Sequence, residues 1–137
     1  MPVVDASVVV DWVAPDVDRT GAAGRFLQAV VGAGDRLLAP RILVEEVAKA
    51  LLTGVRRGRW DGAAADVAYR QLRRLPVIIA GEPADLDRAW ELSRRYDEHP
   101  VYDMLYVALA ERLGERLVTQ DTRLRERVTM LDFVVSP

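Results

Sequence analysis

The chain has 137 residues, half of them hydrophobic and 29% charged, with a formal net charge of −2, the size and balance of one globular domain spanning residues 1–137. No apolar run approaches the roughly 18–20 residues that cross a bilayer, and the opening Met1-Pro2-Val3-Val4-Asp5 lacks the basic start and long apolar stretch of a signal peptide, so no membrane contact and a cytoplasmic location are expected. With no Cys, His99 as the one histidine and Lys49 as the sole lysine, disulfides, Cys/His zinc sites and cysteine nucleophiles are excluded, which leaves carboxylates, hydroxyls and arginines as the chemical vocabulary.

Short β-branched runs alternate with longer helix-like segments, the pattern of right-handed βαβ units and a mostly parallel sheet. Pro2 to Val4 reads as a buried strand, followed by a short helix from Val8 to Val13 with Ser7 as its N-cap and Pro15 as its stop. Ala22 to Val31 is a second helix, ended by Gly32 and Gly34, and Arg36 to Ala39 the second strand. Pro40 opens a helix to about Leu52, closed by Gly54, and another helix covers Gly62 to Leu72. Val77 to Ile79 is the third strand, Pro83 to Tyr96 and Val101 to Leu113 are helices separated by His99-Pro100, and strands at Arg116 to Thr119 and Leu131 to Val135 complete the set. The expected fold class is α/β, one three-layer α/β/α domain with a central parallel sheet of about five strands.

Among the acidic residues, helical phase singles out two. After Pro40, at about 100° per residue, Ile42, Leu43, Glu46, Val47, Ala50 and Leu51 share one face while Glu45 and Lys49 share the other as a surface i,i+4 pair. Glu46 therefore interrupts an apolar face, where an ionised carboxylate needs a cationic partner. Asp103 is the only charge between Pro100 and Glu111 in a helix apolar nearly all round, and it needs a partner too. Asp5 and Asp121 follow strands that lie inside the sheet, and ligands of open α/β sheets gather beyond the carboxyl ends of such strands. Carboxylates converging there repel one another by several kcal/mol per pair unless protonated or met by cations. An oxygen-only cluster suits Mg²⁺ or Mn²⁺. Three of the acids also have a plain structural reading: Asp121 as an N-cap, Asp103 as a first-turn acid and Asp5 as a turn residue. Ser7 and Thr119 flank the same region, His99 reads as a loop residue, and Trp12, Trp60 and Trp90 are too scattered for a stacking platform.

Four segments in this order, Val3-Val4-Asp5-Ala6-Ser7, Glu46-Val47-Ala48, Val101-Tyr102-Asp103-Met104-Leu105-Tyr106-Val107-Ala108-Leu109-Ala110 and Leu117-Val118-Thr119-Gln120-Asp121, resemble the PIN-domain ribonucleases, and among them the VapC toxins of toxin-antitoxin modules. The resemblance spans essentially the whole chain. It implies that Asp5, Glu46, Asp103 and Asp121 form the family's acidic quartet, binding metal and carrying catalysis, with Ser7 and Thr119 in support. It further implies strand order 3-2-1-4-5, a homodimer, a cognate antitoxin whose C-terminal segment wraps the toxin and blocks the site, an RNA substrate and a 5′-phosphate product.

The chemistry expected of the quartet is Mg²⁺-dependent hydrolysis of RNA phosphodiester bonds, with water attacking phosphorus in line. Setting aside these four acids leaves 19 basic against 17 acidic residues, so the overall charge does not exclude RNA. Arg56-Arg57-Gly58-Arg59, Arg73-Arg74 and Arg94-Arg95 are candidate phosphate contacts that also read as solvated helix faces. A phosphoacceptor receiver domain would need a lysine after the last strands, and none is there. A catalytically silent PIN-fold binding module is the alternative, against which the complete quartet argues.

Overall fold

The computed structural model describes residues 1–137. Its five strands, β1 (Val3–Val4), β2 (Leu37–Ala39), β3 (Val77–Ile79), β4 (Leu117–Val118) and β5 (Val134–Val135), form one sheet in the order β3-β2-β1-β4-β5. Every neighbouring pair is parallel. The expected architecture and the strand order implied by the family resemblance are both present. β1, β2 and β4 are wholly buried and β-branched or aliphatic, as strands covered on both faces must be.

The helices are α1 (Ala6–Val13), α2 (Ala22–Gly32), α3 (Ile42–Arg56), α4 (Gly62–Leu72), α5 (Pro83–Arg95), α6 (Val101–Leu113) and α7 (Thr122–Arg127). α1 packs on α2, α3 and α4, whereas α5 packs on α6, and α6 packs on β1 and β4. Right-handed crossovers explain this division. The chain runs outward from β1 to β3 with one set of helices, then returns past β1 to β4 with the other. β1 and β4 therefore flank the point where the winding reverses, the place where an open sheet leaves a crevice beyond its strand ends.

Three local expectations are corrected. Ser7 is not an N-cap: α1 begins two residues earlier, at Ala6, Asp5 occupies the cap position, and the Asp5 side chain makes no capping bond. Gly54 does not close α3, which continues to Arg56, because a Cβ there would lie 2.0 Å from the Trp60 ring and its absence lets the indole pack against the helix. The left-handed turn falls instead at Gly58, with φ +73°. Glu45 pairs with Arg41 at 3.9 Å rather than with Lys49. β3 has the expected bounds, while β1, β2, β4 and β5 are shorter than expected at their ends.

Candidate active site

Asp5 leaves β1 with its backbone N–H donating to the Val118 carbonyl at 3.0 Å, which fixes it against β4. Its carboxylate is 6% exposed. Oδ2 accepts from Thr119 Oγ1 at 2.6 Å and from Ser7 Oγ at 2.8 Å, so both hydroxyls expected to support the site bind the same oxygen. The two hydroxyls are themselves tied to the β4–α7 turn: the Gln120 N–H donates to Ser7 Oγ and the Asp121 N–H to Thr119 Oγ1, each at 3.0 Å. The Gln120 side-chain amide in turn holds the Asp11 carboxylate and the Ser7 carbonyl.

Glu46 projects from the face of α3 that its helical phase selected, and Tyr106, fully buried on α6, donates its hydroxyl to Glu46 Oε1 at 2.6 Å. Asp103, also on α6, meets His99 Nε2 at 2.7 Å through Oδ2. Asp121 realises its plain structural reading in part, because Oδ1 accepts from the Leu124 N–H at 3.0 Å and caps α7. Its other oxygen is not used in that bond.

Burial pushes the carboxyl groups of Asp5, Glu46 and Asp103 above the usual carboxylate range. Hydrogen bonds from Thr119 and Ser7, from Tyr106 and from His99 oppose that rise respectively, and mutual repulsion adds to it: Asp103 acts on Asp5, Asp5 and Asp103 on Glu46, and Asp121 on Asp103. The four acids thus share one field, and none of them forms an ion pair with Lys or Arg. No three acidic or imidazole side chains close into a ready-made cation cage. A hard divalent ion that keeps most of its waters needs only one or two direct carboxylates, so the donor set suits such an ion without a closed cage.

The sequence model of the PIN domain matches residues 3–128, which include all four acids. The chain belongs to the PIN-domain family. Within that family it is similar to ribonuclease VapC3 of Mycobacterium tuberculosis, at 40% identity over 89% of this chain and 83% of that protein. It is also similar to ribonuclease VapC9 of the same organism, at 33% identity over 92% and 90%. Among solved structures, PAE2754 from Pyrobaculum aerophilum superposes with a TM-score of 0.67 at 26% identity, covering 91% of this chain and 82% of that one. FitAcB from Neisseria gonorrhoeae shares the fold, with a TM-score of 0.66 at 16% identity over 100% and 97%.

Two residues of this PIN domain that bind the acids escaped sequence reasoning. Tyr106 carried a signal, since a tyrosine inside a helix apolar nearly all round needs a partner for its hydroxyl. His99 carried a weaker one, the i,i+4 spacing to Asp103 across the start of α6. It does lie in the loop between α5 and α6, as expected, but is buried there, only 8% exposed. The two residues before it, Asp97 and Glu98, both sit in the left-handed region at φ 56°, a conformation costing roughly 1–2 kcal/mol per non-glycine residue. Arg127 holds that turn by an ion pair to Asp97 at 2.6 Å.

The His99 bond fixes Asp103 Oδ2 in place, and removing a group that holds a metal-binding carboxylate typically lowers activity about 10- to 100-fold. His99→Ala is expected to lower nuclease turnover within that range, and His99→Gln, whose amide can donate to the same oxygen, to recover part of it. Steady-state cleavage rates of the two variants, taken beside their melting curves, check this; equal losses in both would remove the orienting role.

Proposed function

We propose that this PIN domain is a metal-dependent endoribonuclease and the toxin of a toxin-antitoxin pair, arresting growth by cutting RNA. The observation that carries the reading is the set of four carboxylates near the β1 and β4 ends, three of which, Asp5, Glu46 and Asp103, are burdened by burial and by neighbouring acids, and none of which forms an ion pair with Lys or Arg. Such unneutralised charge is stabilised by a divalent cation. Its relatives named ribonuclease VapC support RNA as the substrate.

Asp5, Glu46, Asp103 and Asp121 would hold Mg²⁺ or Mn²⁺, which supplies positive charge for the scissile phosphate and makes a neighbouring water more acidic. The chain's own contribution is fixed geometry. Ser7 and Thr119 hold one Asp5 oxygen from two sides and leave the other for a ligand. Tyr106 and His99 each take one oxygen of Glu46 and Asp103, and the cap to Leu124 takes one of Asp121. Every acid therefore keeps an oxygen that these bonds do not occupy. Hydrolysis by water with the 3′ oxygen leaving gives a 5′-phosphate end, and no side-chain nucleophile is needed.

A cognate antitoxin segment covering the acids, and a homodimer, complete this reading. The structure has no helix long and apolar enough to cross a membrane. The test is cleavage of short RNAs by the purified chain with Mg²⁺ or EDTA, with the product ends sequenced. EDTA-sensitive cleavage leaving 5′-phosphate ends is expected, and Glu45→Gln, altered on the solvent face of α3, should retain the full rate. Absence of cleavage with Mg²⁺ and Mn²⁺ alike would support the silent binding module instead.

A further inference from the structure

Of the three arginine clusters in the sequence, only one lies beside the acidic site. Arg94 is paired with Glu98 at 3.1 Å, and Arg73 borders an apolar groove of Leu43, Val44, Leu72 and Val77. Arg57 and Arg59, by contrast, line a groove of about 250 Å³ together with Lys49, Thr53 and Glu46 itself. Thr53 and the C-cap Arg57 fall almost in line with Glu46 along α3, and Lys49 borders that line on its solvent side, so the groove begins at a site carboxylate and runs up α3 for about 16 Å. One end is acidic and the other cationic.

The cationic end is built rather than incidental. Gly54 leaves room for Trp60 against α3, and the Trp60 indole N–H locks onto the Leu51 carbonyl at 2.9 Å. Arg59 lies over that indole at 4.8 Å and is braced by Asp16 at 2.9 Å, so the segment after α3 is pinned to the groove wall. Thr53 Oγ1 accepts from Arg56 Nη2 at 3.1 Å. Lys49, the one lysine of the chain, and Arg57 have no carboxylate ion-pair partner, although Lys49 stands close enough to Glu46 to ease its ionisation. Two unpaired cations and a hydroxyl along one face are suited to successive phosphates of a single strand.

We propose that the α3 groove lined by Lys49, Thr53, Arg57 and Arg59 binds the phosphate backbone of single-stranded RNA next to the bond that is cut. The proposal rests on the ribonuclease reading above and adds the path of the strand. A strand whose scissile phosphate lies among the carboxylates must continue past Glu46, and this groove is continuous with Glu46. An acidic peptide has matching charge but no reason to end at a carboxylate cluster.

The experiment measures anisotropy of a fluorescein-labelled single-stranded RNA of mixed sequence across a KCl series, in an Asp5→Asn background that prevents cleavage. Adding Lys49→Gln and Arg57→Gln is expected to weaken binding about tenfold and to flatten the log–log salt dependence by about 1.4, since each single-strand phosphate contact contributes roughly 0.7 to that slope. Arg57→Lys, which keeps the charge, should restore most of the binding to the Arg57→Gln single variant. Arg73→Gln with Arg74→Gln is the matched control and should change neither quantity. If the Lys49/Arg57 variant keeps both affinity and slope while the parent binds, or if the control loses as much, the groove is not the RNA path and the ribonuclease reading stands. Loss of binding to a poly-glutamate peptide with RNA binding intact would overturn the proposal in favour of a protein ligand. If the unsubstituted chain neither binds nor cleaves RNA, the ribonuclease reading and the groove fall together.

Discussion

Asp5→Asn is expected to abolish RNA cleavage while making the metal-free protein more stable at neutral pH. The activity loss should exceed the roughly 10- to 100-fold typical of outer-shell changes, because a ligand charge disappears with little change of shape. The stability gain follows from burial. Desolvation, with repulsion from Asp103 added, raises the Asp5 carboxyl pKa in the folded chain in spite of the bonds from Thr119 and Ser7. A raised folded pKa means that the folded state holds the proton more tightly. Its stabilising contribution is complete below the unfolded pKa of about 4 and is lost as pH rises through the folded pKa. As pH rises through the folded pKa the wild-type apoprotein loses it, whereas an asparagine, whose amide oxygen can still accept from Thr119 and Ser7, has nothing to lose. The gain should be on the order of 1 kcal/mol, roughly 3–5 °C in Tm. Melts with EDTA at pH 4.5 and 7.5 should show a larger advantage of Asp5→Asn at the higher pH. Added Mg²⁺ should raise the wild-type Tm by binding the folded state and leave the variant nearly unchanged. If neither Mg²⁺ nor the substitution raises Tm at neutral pH, the carboxylates are not jointly strained.

Arg112→Ala is expected to have the opposite pH signature far from the acids. Arg112 on α6 grips Asp85 on α5 through Nε to Oδ1 at 2.7 Å and Nη2 to Oδ2 at 3.0 Å, and also donates to the Ala80 carbonyl at 2.8 Å. Asp85 is only 5% exposed, and its second oxygen caps the start of α5 through the Glu82 N–H. Removing one member of such a pair strands the other, so the loss should be about 2–3 kcal/mol, roughly 6–15 °C in Tm. The Arg112 hydrogen bonds hold the Asp85 carboxyl below its ordinary value. That contribution is present above the unfolded pKa and is lost as pH falls through the folded one. The penalty of Arg112→Ala should therefore be full at neutral pH and fade in acid, as a Tm series across pH would show. A penalty independent of pH would mean that packing of the arginine stem, not the ion pair, joins α5 to α6.

The contrast between these two aspartates shows where sequence reasoning reached its limit. Glu46 was legible because one helix face carried six residues whose phase left no solvent-side explanation for it. Asp103 was legible as the single charge in an apolar helix. Asp5 and Asp121 were legible from their positions after strands, yet the sequence could not separate ligand from cap. In the structure Asp121 does cap α7, while Asp5 stands at a cap position without capping. What escaped depended on tertiary meetings. The contacts of Tyr106 with Glu46 and of Thr119 with Asp5 span 60 and 114 positions of chain, and no local periodicity encodes them. Gly54 was misread for a related reason: a mid-helix glycine looks like a stop until the indole that needs its space is known.

The bond between Asp5 and Thr119 also sets an order of events during synthesis. β1 and its aspartate are made before the other strands, and β2 can pair with Val3 as soon as it emerges. The other flank of β1, the Val118 carbonyl that fixes Asp5 and the Thr119 hydroxyl that binds it, belongs to the last fifth of the chain. Contacts of such long sequence separation form late. A nascent chain on the ribosome thus lacks the second flank of Asp5 until β4 and the turn after it have emerged.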